Sequence, residues 1–343
     1  MDTGTHIVMG IGLTALATQD PAMAGSFVAT ATTLVVGSLI PDGDTVFKLK
    51  DNATYISNHR GITHSIPFTI LWPLLITLLI FTFFKNVDIT HVWLWAQLAV
   101  FLHVFVDIFN SYGTQALRPI TNKWIQLSVI NTFDPIIFIL WCIGILLWLV
   151  GIHPYLVFFP IIAILVVYYI IRFRMQAVIK QQALKQIQQE HNPVKVFVAP
   201  TIRFMQWRVA IQTEEHDYVG RSFGRNIVFS DKSKRHPFPS DDLMQYVEGD
   251  KNIKTFLNFS TIYRWEARKL DDETTEIRLI DLRYLKNGHY SFVAIAHLDD
   301  EMAIDHSYIG WVFSEDKLQK NYLQSNTLKN LIPLNTIRTG KIR

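Results

Sequence analysis

The sequence predicts an α-helical integral membrane bundle of five or six segments, followed by a small soluble domain that is mainly antiparallel β. Charge distribution is the first reason. Residues 1–171 contain six of the 32 Lys and Arg residues and eight of the 29 Asp and Glu residues of the 343-residue chain. The second reason is a positive mean hydropathy of +0.20. A soluble domain carries about 25% charged residues, and the 18% found here argues against an all-soluble or disordered chain.

Apolar runs of membrane-spanning length are the third reason, since a spanning helix needs about 20 mostly apolar residues. A shorter segment, residues 6–18, precedes them and is rich in Gly and Ala, which allow helices to approach closely. Asp134 stands directly before Pro135 and is the predicted N-cap of the helix that begins there. The runs cover residues 22–40, 66–84, 92–109, 135–150 and 154–171.

The Lys and Arg residues between these runs predict an orientation. Loops 41–65 and 110–134 hold Lys or Arg at several positions, whereas the connections on the opposite side hold only Lys85. Because cytoplasmic loops are enriched in Lys and Arg, both loops are predicted to be cytoplasmic. With six segments, both termini fall on the same side, so the expected location is multi-pass in the cytoplasmic membrane of the cell.

Ionisable residues in or beside the apolar runs form a series. Such residues are costly in a membrane and are candidates for function. In the predicted topology the candidates of this series all fall at the cytoplasmic end, whereas His91 and His153 lie at the opposite end and are interpreted as interfacial residues. His103 and Asp107 share one helix face, because residues four apart are neighbours on a helix. The candidate metal ligands are His6, Asp42, Asp44, His59, His64, His103 and Asp107.

This set of imidazoles and carboxylates predicts a site for a divalent metal ion, with Zn²⁺ or Mn²⁺ favoured. Seven candidates exceed one tetrahedral site, so a centre of two ions is an open alternative. Asp44 is also the candidate general base, and Arg60 is the candidate for binding an anionic substrate. Structural alternatives stay open: His6 as an interface histidine, the Asp42-Gly43-Asp44 segment as a turn, and Arg60 as a positive loop residue.

Four short motifs follow one another along residues 1–171. They are Thr5-His6, Pro41-Asp42-Gly43-Asp44, His59-Arg60-Gly61-Ile62-Thr63-His64-Ser65, and His103 with Asp107 followed by Ser111-Tyr112-Gly113-Thr114. In order and residue type they resemble the YdjM-type family of membrane-bound, metal-dependent hydrolases. The resemblance implies a helical membrane protein with a metal site at the matching positions and with hydrolase activity.

The second half of the chain has a different pattern. We predict a membrane helical domain over 1–171, a linking helix over 172–192 that continues from the last span, and a cytoplasmic β-rich domain over 193–343. Period-two alternation of apolar and polar residues, as over 276–283, is typical of strands with one solvated face. The stretch 231–252 is charged and predicts a loop. No helix-turn-helix or aromatic–basic motif indicates a nucleic-acid partner, and a protein partner of this domain is not identified.

These patterns favour an integral-membrane, metal-dependent hydrolase. The expected substrate is a phosphoester or another anionic, lipid-linked molecule of the membrane, because amphiphiles present their headgroups at this interface. Two alternatives belong to other classes: a metal-binding transporter or sensor without chemistry, and a membrane-anchored regulatory protein.

Overall fold

A computed structural model describes residues 1–188, 192–236, 247–270, 274–286, 288–299 and 303–313. The chain divides into two compact units, Met1–Ser233 and Lys234–Arg343. The first unit contains the helices of the apolar half together with a four-stranded sheet. In its described residues the second unit has the helix Lys251–Phe259 and antiparallel strands.

The described part of the first unit has seven helices. Six of them lie on the predicted apolar segments, and the seventh, Asn52–Asn58, lies in the predicted loop 41–65. Two 3₁₀ segments, Ile40–Leu49 and Ile62–His64, lie beside the short helix α3. Asp134 accepts from the main-chain N–H groups of Ile136 and Ile137, which confirms the predicted N-cap. The helices are α1 Thr3–Ala17, α2 Phe27–Gly37, α3 Asn52–Asn58, α4 Ile66–Phe83, α5 Ile89–Asp107, α6 Pro135–Leu149 and α7 Pro154–Gln188.

Three of these helices are long and apolar enough to cross a membrane, judged by length and composition over the described residues: Ile66–Phe83, Ile89–Asp107 and Pro154–Ile187. The first two helices and α6 are apolar but shorter. In particular, α2 has 11 residues, although its apolar run covers 22–40. The Ser26 hydroxyl caps its first turn, and Pro41 lies in the 3₁₀ segment that follows it.

Close packing places α1 among other helices. Gly10 lies against the main chain of α2 at Val35, and Gly12 lies against the ring of Trp141 on α6, where a Cβ atom would overlap that ring. Met9 and Leu13 belong to the same buried cluster as Trp141. Small residues permit this close approach, which buries His6 in the first half of α1.

The last part of the first unit is an antiparallel meander. Its strands are β1 Pro193–Pro200, β2 Gln206–Thr213, β3 His216–Phe223 and β4 Asn226–Lys234, paired in that order. The sheet packs on the end of α7, where Ile179, Ala183 and Ile187 contact Trp207 and its neighbours in one buried cluster.

The second unit has helix α8, Lys251–Phe259, and a four-stranded antiparallel sheet. The order in the sheet is β10-β9-β6-β5, and β7 pairs with β8 as a separate ribbon. Strand β4 and helix α8 extend into the stretch 231–252, where the sequence predicts a loop; residues 237–246 of that stretch lie outside the described part. Asp250 caps α8, and the buried residues of this helix are Ile253, Thr255 and Phe256. The strands are β5 Tyr263–Lys269, β6 Thr275–Asp281, β7 Leu285–Lys286, β8 His289–Tyr290, β9 Phe292–Leu298 and β10 Ile304–Trp311.

Candidate metal centre

Four ligand atoms from three segments converge at one end of the helices. Asp42 comes from the 3₁₀ segment after α2, His64 from the 3₁₀ segment before α4, and His103 and Asp107 from the last turns of α5. Their ligand atoms all lie within 4.8 Å of one another. We call these four residues the four-ligand cluster.

The distances within the four-ligand cluster suit one small divalent ion. The Nε2 atoms of His64 and His103 are 3.2 Å apart. Asp42 Oδ1 lies 3.6 and 3.7 Å from these two nitrogens, and Asp107 Oδ2 lies 3.5 and 3.8 Å from them. A tetrahedral ion with ligands at about 2.0–2.1 Å separates neighbouring ligand atoms by roughly 3.3–3.4 Å. The cluster is therefore close to the size of a tetrahedral zinc-type site.

Hydrogen bonds outside the cluster orient both histidines. His103 Nδ1 lies 2.7 Å from the Ser38 carbonyl oxygen, so it carries the proton and donates. The Thr63 hydroxyl donates to Asp44 and therefore accepts from His64 Nδ1, 3.1 Å away. Both Nε2 atoms consequently present lone pairs to each other. Such partners on the outer nitrogen are the usual support of a metal-bound histidine.

The two carboxylate oxygens of the cluster also lack hydrogen bonds. Asp42 Oδ1 and Asp107 Oδ2 are buried and accept no hydrogen bond from the described residues. Buried polar atoms are normally satisfied, and buried acceptors that face one another repel; the Arg60 Nε, 3.3 Å from Asp107 Oδ2, offsets part of this repulsion. Four acceptor atoms without a shared proton are what a cation would hold together, so these residues fit a divalent ion.

Electrostatics keep the two loop ligands in the forms that bind metals. Burial and the neighbouring His103 hold the pKa of His64 well below its usual range, so its imidazole is neutral. Burial alone would raise the pKa of Asp42, but the contacts with His103 and the charge of Arg60 outweigh burial and lower it. A neutral imidazole and an ionised carboxylate are the species that ligate divalent ions.

His6 lies directly beside the cluster. Its ring stacks on His103 with 3.8 Å between the ring centres, and its Nε2 is 3.3 Å from Asp107 Oδ1. The Met1 amino group pairs with the same oxygen. Neither ring nitrogen of His6 makes a hydrogen bond within the described chain, so His6 is available as a further ligand or as a neighbour that orients Asp107.

Arg60 brings a buried guanidinium to the edge of the cluster. Its Nε lies 3.3 Å from Asp107 Oδ2, and its Nη2 donates to the Met1 carbonyl oxygen over 2.7 Å. Nη1 is buried without a hydrogen-bond partner among the described residues. The residue has a φ of 59°, a left-handed conformation that is uncommon outside Gly. Main-chain hydrogen bonds to Asp44 and from Gln115 hold it there.

Asp44 and His59 form a second group that shares Asp42 with the first, and the ligand atoms of these three residues also lie within 4.8 Å of one another. Asp44 differs from Asp42 because both of its oxygens accept hydrogen bonds. Oδ1 is 2.7 Å from His59 Nδ1. Oδ2 accepts from the Arg60 main chain over 3.0 Å and from the Thr63 hydroxyl over 2.6 Å.

All seven predicted ligands and Arg60 therefore lie in one region. Two groups that orient the histidines were not predicted from the sequence, namely the Ser38 carbonyl and the Thr63 hydroxyl. Thr63 lies inside the His59–Ser65 motif, so its position next to His64 could have indicated that its hydroxyl orients this histidine. No pattern in the sequence indicates a carbonyl 65 residues before His103.

Comparison with known proteins gives the family. Residues 1–178 match the model described as YdjM inner membrane protein. The chain belongs to the YdjM inner membrane protein family. This match confirms the resemblance found from the motifs, and with the apolar helices it supports a membrane location.

The rest of the chain matches two further models. Residues 191–233 match the YfhP middle domain, and residues 242–322 match the YfhP C-terminal alpha/beta plait domain. The chain is similar to the "Uncharacterized protein YfhP" of Bacillus subtilis (strain 168), with 48% identity over 324 residues, which cover 93% of this chain and 98% of that protein. No solved structure matches the chain.

Proposed function

We propose that this protein is an integral-membrane, metal-dependent hydrolase that cleaves a phosphoester or another anionic, lipid-linked substrate at the cytoplasmic face of the membrane. The observation that carries the proposal is the convergence of four buried acceptor atoms from Asp42, His64, His103 and Asp107. Two of these atoms are histidine nitrogens that face each other 3.2 Å apart.

The residues of the site would have different roles in metal binding and substrate binding. The four-ligand cluster would hold one divalent ion, Zn²⁺ or Mn²⁺, with His6 beside it. Such an ion supplies a Lewis acid and lowers the pKa of a bound water. Arg60 would bind the anionic group of the substrate, because its buried Nη1 has unused N–H donors and a guanidinium pairs well with phosphate oxygens.

The place of the site in the helices supports an amphiphilic substrate. Asp107 is the last residue of α5, and His64 stands two residues before α4. Both helices are candidate spans, so a site at their ends lies where a bilayer meets water. The adjoining loops carry Lys48, Lys50, Arg118 and Lys123. This favours a cytoplasmic placement by the positive-inside rule, with a multi-pass chain and both termini on that side.

The direct test is metal content together with hydrolysis. The full chain would be purified in detergent, and bound metals would be measured by mass spectrometry for the wild type, His64→Ala, His103→Ala and the control His91→Ala at the other end of α5. We expect about one ion per chain in the wild type and the control, and loss of the ion in the other two variants. Anionic phospholipids and lipid phosphates would serve as substrates. We expect the wild type and the control to release phosphate or headgroup, and the other two variants to lose this activity.

Three results would speak against the proposal. An absence of bound metal in the wild type would remove its basis. Activity that survives both histidine substitutions and chelation would exclude metal-dependent hydrolysis. Bound metal without any hydrolysis, combined with metal flux in liposomes, would favour the transporter alternative.

A further inference from the structure

We propose that His59 is the general base and general acid of the reaction and that Asp44 is its positioning residue, an inference that rests on the proposed function. The second group around Asp42 is then a proton-transfer pair rather than a second metal site. The hydrogen bonds of Asp44 differ from those of the four-ligand cluster.

Asp44 is fully engaged by protein donors. It accepts from His59 Nδ1 at 2.7 Å, from the Arg60 main-chain N–H at 3.0 Å and from the Thr63 hydroxyl at 2.6 Å. Asp42 Oδ1, two residues earlier, has no such donor within the described chain. These three donors orient the Asp44 carboxylate towards His59, whereas the Asp42 oxygen without a donor faces the four-ligand cluster. Asp44 is thus built to hold its neighbours in place.

The ring of His59 is fixed from two directions. Its Nδ1 donates to Asp44, and one face stacks on Tyr55 with 4.8 Å between the ring centres. With the proton on Nδ1, the lone pair is on Nε2, which forms no hydrogen bond to the described residues. A histidine oriented by a carboxylate in this way is the arrangement used for proton transfer in hydrolytic sites.

The ring lies at the accessible side of the cluster. His59 has a side-chain exposure of 25%, whereas His64 and His103 have none. One of its ring nitrogens is within 4.8 Å of a carboxylate oxygen of Asp42. His59 is therefore a partly exposed imidazole beside one ligand of the four-ligand cluster, which is where a group that transfers a proton to or from a reacting molecule is needed.

The proposed step balances within ordinary phosphoester hydrolysis. His59 Nε2 takes a proton from the attacking water as the water oxygen forms its bond to phosphorus. The bond from phosphorus to the ester oxygen breaks, and the departing oxygen takes the proton from the imidazolium. His59 returns to its neutral form with the proton on Nδ1, and no oxidant or further reactant is needed.

The test compares turnover with metal content in His59→Gln, Asp44→Asn and the double variant, using bis(p-nitrophenyl) phosphate and anionic phospholipid as probes. We expect kcat to fall by about 10²–10⁴-fold in His59→Gln, while KM and one bound ion per chain are kept. Asp44→Asn still accepts from Thr63 but favours the wrong tautomer of His59, and we expect a fall of at least about 10-fold. The double variant should match His59→Gln, because the two residues act as one unit.

The outcomes separate this inference from the proposed function. Loss of an ion in His59→Gln, or two ions per wild-type chain of which one is lost, would make His59 a ligand and overturn the inference alone. Full turnover in His59→Gln beside an active wild type would do the same. An inactive wild type, or metal retained in His64→Ala, would overturn the proposed function and the inference with it. His91→Gln is the matched control and should keep both activity and metal.

Discussion

Two aspartates only two residues apart have opposite surroundings in this protein. Asp42 directs an unsatisfied oxygen at His64 and His103, whereas both oxygens of Asp44 are occupied by donors. In the sequence both belong to one Pro-Asp-Gly-Asp motif, which predicts both as ligands and Asp44 also as the general base. The residue type shows that both carboxylates could bind a cation. Only the hydrogen-bond donors around each oxygen decide which carboxylate oxygen remains available to one.

Thr63 is a residue whose role can be tested directly. Its hydroxyl accepts from His64 Nδ1 and donates to Asp44. Thr63→Val keeps the shape but removes both hydrogen bonds, so metal affinity should fall by about 10–100-fold, as for other partners of ligating histidines. Isothermal titration of the metal-free protein would measure this. Thr82→Val, which loses only a hydrogen bond to Leu78 within its own helix, should leave the affinity unchanged.

We expect the second unit to lose stability in acid because of the buried carboxylate of Glu276. Burial alone would raise its pKa, but the hydrogen bond with His297 and the charges of Arg278 and Arg268 outweigh burial and lower it from 4.5 to about 2. The folded-state pKa lies below the unfolded value. The carboxylate therefore stabilises the fold fully above about pH 4.5, by about 3 kcal/mol, and this stabilisation disappears as the pH falls towards 2.

Hydrogen exchange of strands β6 and β9 between pH 6 and 3, corrected for the intrinsic rates, would measure this dependence in the full chain. Glu276→Gln should be less protected at pH 6 and should have a flatter pH dependence over this range. Glu266→Gln, at a more exposed carboxylate on the neighbouring strand β5, should behave like the wild type. Equal pH dependence in Glu276→Gln and wild type would contradict the assignment.

At the scale of elements, close helix packing places the ligands. The helix α1 carries His6 and packs against α6 through Gly12 and Trp141. Most of the helices were predictable because hydropathy is a local property that a window of residues reveals. The short length of α2 was not, since the Ser26 cap and the following 3₁₀ segment interrupt an apolar run that continues in the sequence.

The contact between Gly12 of α1 and Trp141 of α6 can be tested by substitution. A methyl group there would overlap the ring of Trp141, so Gly12→Ala should destabilise the helical region by about 1–3 kcal/mol, the usual effect of overpacking. Thermal unfolding in detergent would report it as a lower Tm. Gly25→Ala is the control, because its nearest neighbour to an added Cβ is a carbonyl oxygen 3.9 Å away. Equal melting temperatures for the two variants would contradict tight packing at Gly12.

At the scale of the whole molecule, the first sheet belongs with the helices. Arg172 of α7 donates to the carbonyl oxygens of Val129 and Phe204 and lies 4.2 Å from the ring centre of Trp207. Arg208 of β2 donates to Ser111, which follows α5 by four residues. Strand β2 of this sheet thus contacts the loop that leads away from Asp107.

Truncation distinguishes the two units. A chain that ends at residue 233 should keep its bound metal and its Tm, because Met1–Ser233 is one compact unit. A chain that ends at residue 191 removes the strands that contact Arg172 and Ser111, and we expect a lower Tm and a reduced metal content. Metal analysis and thermal unfolding of both truncated chains against the full chain would measure these effects. Identical behaviour of the two would show that the first sheet does not support the metal centre.

The sequence by itself determined that one half of the chain is apolar and helical, that its seven candidate metal ligands fall at one end, and that the other half is rich in strands. These features follow from local hydropathy, alternation and motif order. The tertiary structure decided which atoms face each other. The Ser38 carbonyl and His103 are 65 residues apart, and Arg172 and Val129 are 43 apart. Hydrogen bonds over such separations depend on how helices pack. Packing therefore leaves the Asp42 oxygen unsatisfied and joins Asp44 to His59.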